Sequence, residues 1–179
     1  MPSTREKQQG FTIVEIMVVL VITIALTILV ISGYSEGMSR FALERTAESF
    51  IGDLNRAKRE SISGAFYEGS SGEVITGGYG IMIKENVDDR YFLFVQDGGV
   101  TKEIDEFKVE DQVRISGATA FGTSGDVKIF FPSDGGVLFN GSTPLSGDRV
   151  VVTFSAKRGE NLIRRVSIDS SKSATVIYE

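Results

Sequence analysis

The chain has 179 residues, 19 Lys and Arg against 24 Asp and Glu, a net charge of −5, and no Cys, His or Trp. Without cysteine there is no disulfide, thiol nucleophile or Cys-ligated metal, and without histidine there is no Ser-His-Asp machinery, imidazole base or imidazole ligand. The acidic balance argues against a surface that binds nucleic acid throughout, and these absences lead us to expect a protein that is not an enzyme and holds no cofactor or metal.

Residues 1–10 form a polar leader carrying Arg5, Glu6 and Lys7. Residues 11–35 are apolar, and Ile16 to Ser35 contains no charge at all. About 20 apolar residues at ~1.5 Å each span the ~30 Å hydrocarbon core as a helix. Although rich in Val, Ile and Thr, the run is too long and too apolar for a strand in water. Arg5 and Lys7 place the short leader in the cytoplasm, so the remainder is exported. A cleaved secretory signal has the same order, but this run exceeds its apolar region and ends without a small-residue cleavage site. The odd residue is Glu15, since a charge at the centre of a membrane helix costs roughly 2.5–3.5 kcal/mol. It reads either as an interfacial carboxylate or as a group awaiting a positive partner.

Residues 36–66 continue a helical period. Leu43, Ala47, Phe50, Leu54, Ala57 and Ile62 form an apolar stripe that Phe41 and Ile51 widen, opposite a charge-balanced face. Gly33 and Gly37 interrupt the helix where it leaves the bilayer, and read as local fraying or as a hinge.

Residues 67–179 form a β-rich exported head. The stretch from Glu68 to Gly80 reads as a glycine-rich loop. Strands are expected at Tyr79–Lys84, Tyr91–Gln96, Glu103–Phe107, Val113–Ile115, Val127–Phe131, Gly136–Phe139, Arg149–Ser155, Leu162–Asp169 and Thr175–Tyr178. Hairpins with one face on the helix make an α+β fold rather than a nucleotide-binding βαβ fold.

Three weaker motifs favour bland readings. Thr76-Gly77-Gly78-Tyr79-Gly80 lacks the Gly-Lys-Ser/Thr ending of a phosphate loop and precedes a strand. Asp88/Asp89 and Asp105/Glu106 lack EF-hand spacing. Asn140-Gly141-Ser142 matches a glycosylation sequon of a kind common by chance. The charge distribution is more telling: Arg149 to Lys172 holds six basic residues (Arg149, Lys157, Arg158, Arg164, Arg165, Lys172) and two acidic ones, whereas Tyr67 to Asp148 holds six basic and fourteen acidic. This marks either a binding patch, or residues that face solvent or pair with an acidic neighbour.

Gly10-Phe11-Thr12-Ile13-Val14-Glu15, followed by the apolar run, resembles the class III signal of type IV prepilins and type II secretion pseudopilins. That resemblance implies cleavage by a prepilin peptidase between Gly10 and Phe11 and N-methylation of Phe11. It further implies a pilin fold, with a long helix packed on an antiparallel sheet. The function implied is a structural subunit of a pilus or pseudopilus, anchored in the cytoplasmic membrane and assembled by helix packing with other subunits. The new amine at Phe11 then pairs with Glu15 of a neighbour, which sets the axial register. At lower specificity, Asp53 to Ile62 and Phe130-Phe131-Pro132-Ser133-Asp134-Gly135-Gly136 are similar to segments of H-type and FimT-like minor subunits. Two other readings stay open: a minor pilin of a competence apparatus that binds DNA through the basic residues, and a signal-anchored exported β domain.

Overall fold

The structure, a computed structural model, describes residues 11–68, 74–75, 77–120, 125–134, 136–140, 149–157, 162–169 and 175–177. One helix, α1 (Ile13–Ile62), precedes β1 (Tyr67–Glu68), β2 (Val74–Ile75), β3 (Gly78–Ile83), β4 (Arg90–Asp97), β5 (Val100–Lys108) and β6 (Val113–Ala120). Then come β7 (Val127–Phe131), β8 (Leu138–Phe139), β9 (Arg149–Ala156), β10 (Ile163–Asp169) and β11 (Thr175–Ile177). The chain divides into two compact units, Met1–Met38 and Ser39–Glu179.

In the first unit the side chains from Phe11 to Ile31 are all exposed. The helix is long and apolar enough to cross a membrane. Two threonines of this apolar stretch keep their hydroxyls inside the helix: Thr23 donates to the Val19 carbonyl at 2.8 Å and Thr27 to the Thr23 carbonyl at 2.7 Å. A helix with its backbone and hydroxyls satisfied internally is one of the few structures that hydrocarbon tolerates.

The second unit is α+β, a helix packed on antiparallel sheet. Its largest sheet has the order β5-β4-β3-β7-β8; a second has β11-β10-β9-β6, and β1 and β2 form a two-stranded ribbon. Leu43, Ala47, Phe50, Leu54 and Ala57 of α1 are buried in one core with residues of both larger sheets. Phe50 meets Tyr91 of β4 edge-on at 5.0 Å and Phe154 of β9 at 5.6 Å, so one helical side chain touches both sheets. The far face of the larger sheet carries a smaller cluster, Met82, Phe92, Phe94 and Phe130.

The helix differs from its sequence pattern at both edges of the stripe. Ile62 and Phe41 are exposed, and Ser61 takes the core position after Ala57 because it lies four residues on. The Ser61 hydroxyl donates to the Phe131 carbonyl and accepts from the Tyr79 amide at 2.7 Å, clasping the end of the helix to β7 and β3. Chain reversal follows at once. Gly64 sits at φ 67°, its amide bonds the Ser61 carbonyl at 3.2 Å, and the Ala65 amide bonds the Glu60 carbonyl at 3.1 Å. This pair of bonds is a Schellman cap, which needs the left-handed residue that glycine supplies.

The stretch expected to be a loop after Glu68 holds β2 and the start of β3. Its glycines are there for close packing: a Cβ on Gly80 would overlap the Phe94 ring and the Ile129 carbonyl. Thr76 lies outside the described residues. Strand β6 runs to Ala120, five residues past its expected end, because β9 pairs along its whole length across a bulge between Ile115 and Gly117.

Replacing Ser61 with Ala leaves the Tyr79 amide and the Phe131 carbonyl buried without their shared partner. Ser61→Ala is expected to lower unfolding stability by about 1–3 kcal/mol without changing the fold, as read by denaturant titration of the intact chain.

Candidate functional site

Helix α1 starts at Ile13, which makes Thr12 the N-cap residue and Glu15 the third helical residue. The Glu15 amide donates to the Thr12 hydroxyl at 3.3 Å, and the Thr12 amide donates to a Glu15 carboxylate oxygen at 3.4 Å. This reciprocal pair is a capping box, signalled in the sequence by Thr-x-x-Glu. Glu15 therefore already has a partner within its own chain. It also sits where the helix dipole presents partial positive charge, which lowers the cost of its position. Phe11 precedes the cap and is 81% exposed. Gly10, and with it the other half of the expected cleavage junction, lies outside the described residues.

Gly33 and Gly37 both fall inside the helical span, and a Cβ added at Gly37 would meet nothing within 4 Å. No close packing demands glycine at Gly37.

Among the described residues, the basic side chains of the last segment do not form one surface. Arg164 and Arg165 are consecutive in β10 and project to opposite faces of the sheet. Arg164 lies opposite Phe154, on the core side, and its guanidinium donates to the Ile163 carbonyl at 3.1 Å. Arg165 lies opposite Thr153 and shares the other face with Arg149, which stands opposite Asp169. The fold adds Arg114 of β6 to that face, opposite Ser155, to whose hydroxyl it donates at 3.2 Å. Sequence reading could not include Arg114, which is 35 residues before Arg149 and joins it only through strand pairing. Lys157 is exposed just after β9, while Arg158 and Lys172 lie outside the described residues.

Of the acidic pairs, Asp89 and Glu106 are held by one arginine. Arg90 holds Asp89 at 2.8 Å and also pairs with Glu106. Among the described residues, no group of three or more acidic residues could hold a metal ion. Asn140 stands at φ 49° at the end of β8, and its side-chain oxygen accepts from the Lys128 amide at 2.7 Å, so it completes a hairpin. The rest of the sequon lies outside the described residues.

One polar bond crosses the helix–sheet interface. The Tyr91 hydroxyl donates to Asp53 at 2.6 Å. Burial first, and then the bond to Asp53, push the Tyr91 phenol far above its ordinary range, so it stays protonated and serves as a donor.

No family model, curated protein or solved structure matches this chain.

Removing the cap tests the local role of Thr12 and Glu15. Thr12→Ala is expected to cost about 1 kcal/mol at the helix start, read in micelles as faster hydrogen exchange at the amides of Val14 and Glu15. Exchange further along the helix should not change.

Proposed function

We propose that this chain is a structural subunit of a type IV pilus or of a type II secretion pseudopilus. It acts through assembly, and no chemistry occurs on it beyond its own maturation. The observation that carries the reading is the helix α1: an exposed, uncharged apolar stretch follows a carboxylate in its first turn, and its last third forms the core of an α+β head. The apolar part suits a membrane before assembly and neighbouring helices after it. The junction at Gly10 and Phe11, with Glu15 as the fifth residue after it, supports processing by a prepilin peptidase.

On this reading the protein is held in the cytoplasmic membrane with its leader inside and its head outside. Cleavage creates a cationic amine at Phe11. Within a fibre that amine is attracted to Glu15 of an adjacent subunit, in a medium of low dielectric where breaking one half of a charge pair costs about 3–5 kcal/mol. The capping box gives Glu15 a holding position until then. The amine competes for the same carboxylate, and a charge-assisted contact outweighs the neutral amide of Thr12.

Mass spectrometry of the chain co-expressed with a prepilin peptidase tests this directly. The mature chain should begin at N-methylated Phe11, and a chain still beginning at Met1 sinks the reading. Glu15→Ala should still be cleaved, while its incorporation into fibres falls by roughly tenfold or more.

A further inference from the structure

Opposite its buried stripe, the head portion of α1 presents a second stripe to solvent. Phe41, Glu44, Glu48, Gly52, Arg59 and Ile62 are all exposed, at steps of three, four or seven residues that keep one helical face. Phe41 is 72% exposed and Ile62 55%, so apolar side chains stand at both ends. All six residues belong to the unit Ser39–Glu179.

Two features of this stripe have no cause within the chain. Gly52 lies inside an exposed helix, where alanine would be about 1 kcal/mol more favourable. A Cβ added there would meet nothing within 4 Å, so no packing in the head demands glycine. The charges are the second feature. Among the described residues, Glu44, Glu48 and Arg59 form no ion pair, whereas Arg45 lies 3.5 Å from Glu110 and Arg56 lies 2.8 Å from Glu60. Glu44 and Glu48 stand four residues apart, a like-charge spacing that weakens an isolated helix. The stripe is thus acidic before Gly52 and basic after it.

A second copy of α1 supplies what the stripe lacks, provided that it is displaced along the helix axis. A step of eleven residues is three helical turns and so returns to the same face. It carries Phe41 onto Gly52 and Glu48 onto Arg59. The ring then occupies the space left by the missing Cβ, and the carboxylate meets the guanidinium fork. Arg45 and Arg56, which the same step brings near, each keep a carboxylate of their own chain. Without displacement Glu48 faces Glu48 and Arg59 faces Arg59, and like charges repel. Chains anchored side by side in one bilayer are level, whereas successive subunits of a fibre are offset along its axis. Eleven residues at ~1.5 Å each make that offset about 16 Å.

We propose that the outward stripe of α1 is an interface between copies of this chain, in which Phe41 of one copy seats at Gly52 of the next and Glu48 pairs with Arg59. The acidic and basic halves are different surfaces, so each copy offers one half to each neighbour and the contact propagates without closing. This proposal rests on the pilus reading, because assembly into a fibre supplies the displacement.

The chain has no cysteine, so introduced thiols report contacts without background. Glu44→Cys combined with Asn55→Cys places two thiols on the eleven-residue step, about 16 Å apart and too distant to bridge within one helix. In cells that carry a prepilin peptidase and a fibre-assembly apparatus, mild oxidation should link this variant into a ladder of multimers. Glu48→Cys alone should give no dimer. Glu48→Arg and Arg59→Glu, both at exposed positions, should each lower incorporation into fibres by roughly tenfold, and their combination should restore it. Gly52→Leu, which fills the gap, should lower incorporation in the same way. Absence of the ladder, a dimer through Glu48→Cys, or failure of the combined charge swap to restore incorporation overturns the proposal and leaves the pilus reading standing. An unaltered chain that is never cleaved at Phe11 overturns both.

Discussion

The ring of Phe50 meets Tyr91 on one sheet and Phe154 on the other, and the head is organised around that double contact. Two antiparallel sheets with separate strand orders share no backbone ladder among the described residues. What joins them is apolar burial, and α1 supplies the face on which both converge. Leu43, Ala47, Leu54 and Ala57 extend the contact along the helix, and each turn of the stripe adds packing that non-local strands cannot obtain from their neighbours in sequence. Burying a leucine or phenylalanine contributes about 1.5–3 kcal/mol, comparable to a large part of the net stability of a small domain. A few helical side chains thus decide whether the sheets stay together.

Ser61 and Tyr91 enter this interface with defined partners. Ser61 joins the end of the helix to β3 and β7 through two backbone bonds, and the Tyr91–Asp53 bond crosses from β4 to α1. These bonds add position more than net energy, because water would have satisfied the same groups in the unfolded chain. Their directionality fixes the rotation of the helix about its axis, which apolar packing alone leaves looser. Thr46 stands out against this pattern because it is equally buried and lacks a protein partner among the described residues.

The helix obeys two different rules along its length. From Phe11 to Ile31 every side chain is exposed, and the helix satisfies its own backbone and threonine hydroxyls. From Ser39 onward it is amphipathic and its interior face is chosen by the sheets. Glu15 was conspicuous in the sequence because a carboxylate interrupts an apolar run. Its cap partner Thr12 was equally present in the sequence but reads as one more small residue until the first helical turn is located. The basic residues show the opposite case. Arg164 and Arg165 look like a cluster because they are adjacent, yet adjacent residues of a strand face opposite ways, while Arg114 joins Arg149 and Arg165 only through pairing with β9.

Composition and periodicity determined a good deal unaided: the absence of thiol and imidazole chemistry, an apolar segment long enough to cross a membrane, an amphipathic continuation, and a series of strands bounded by turn residues. These are local properties, legible because a helix repeats every ~3.6 residues and a strand every two. The tertiary structure decided which strands belong to which sheet, why Gly80 must be glycine, and why Ser61 rather than Ile62 faces the core. Each depends on groups far apart in the chain meeting at atomic distance. No repeat along a sequence encodes such a meeting, because it exists only once the apolar faces have been buried against one another.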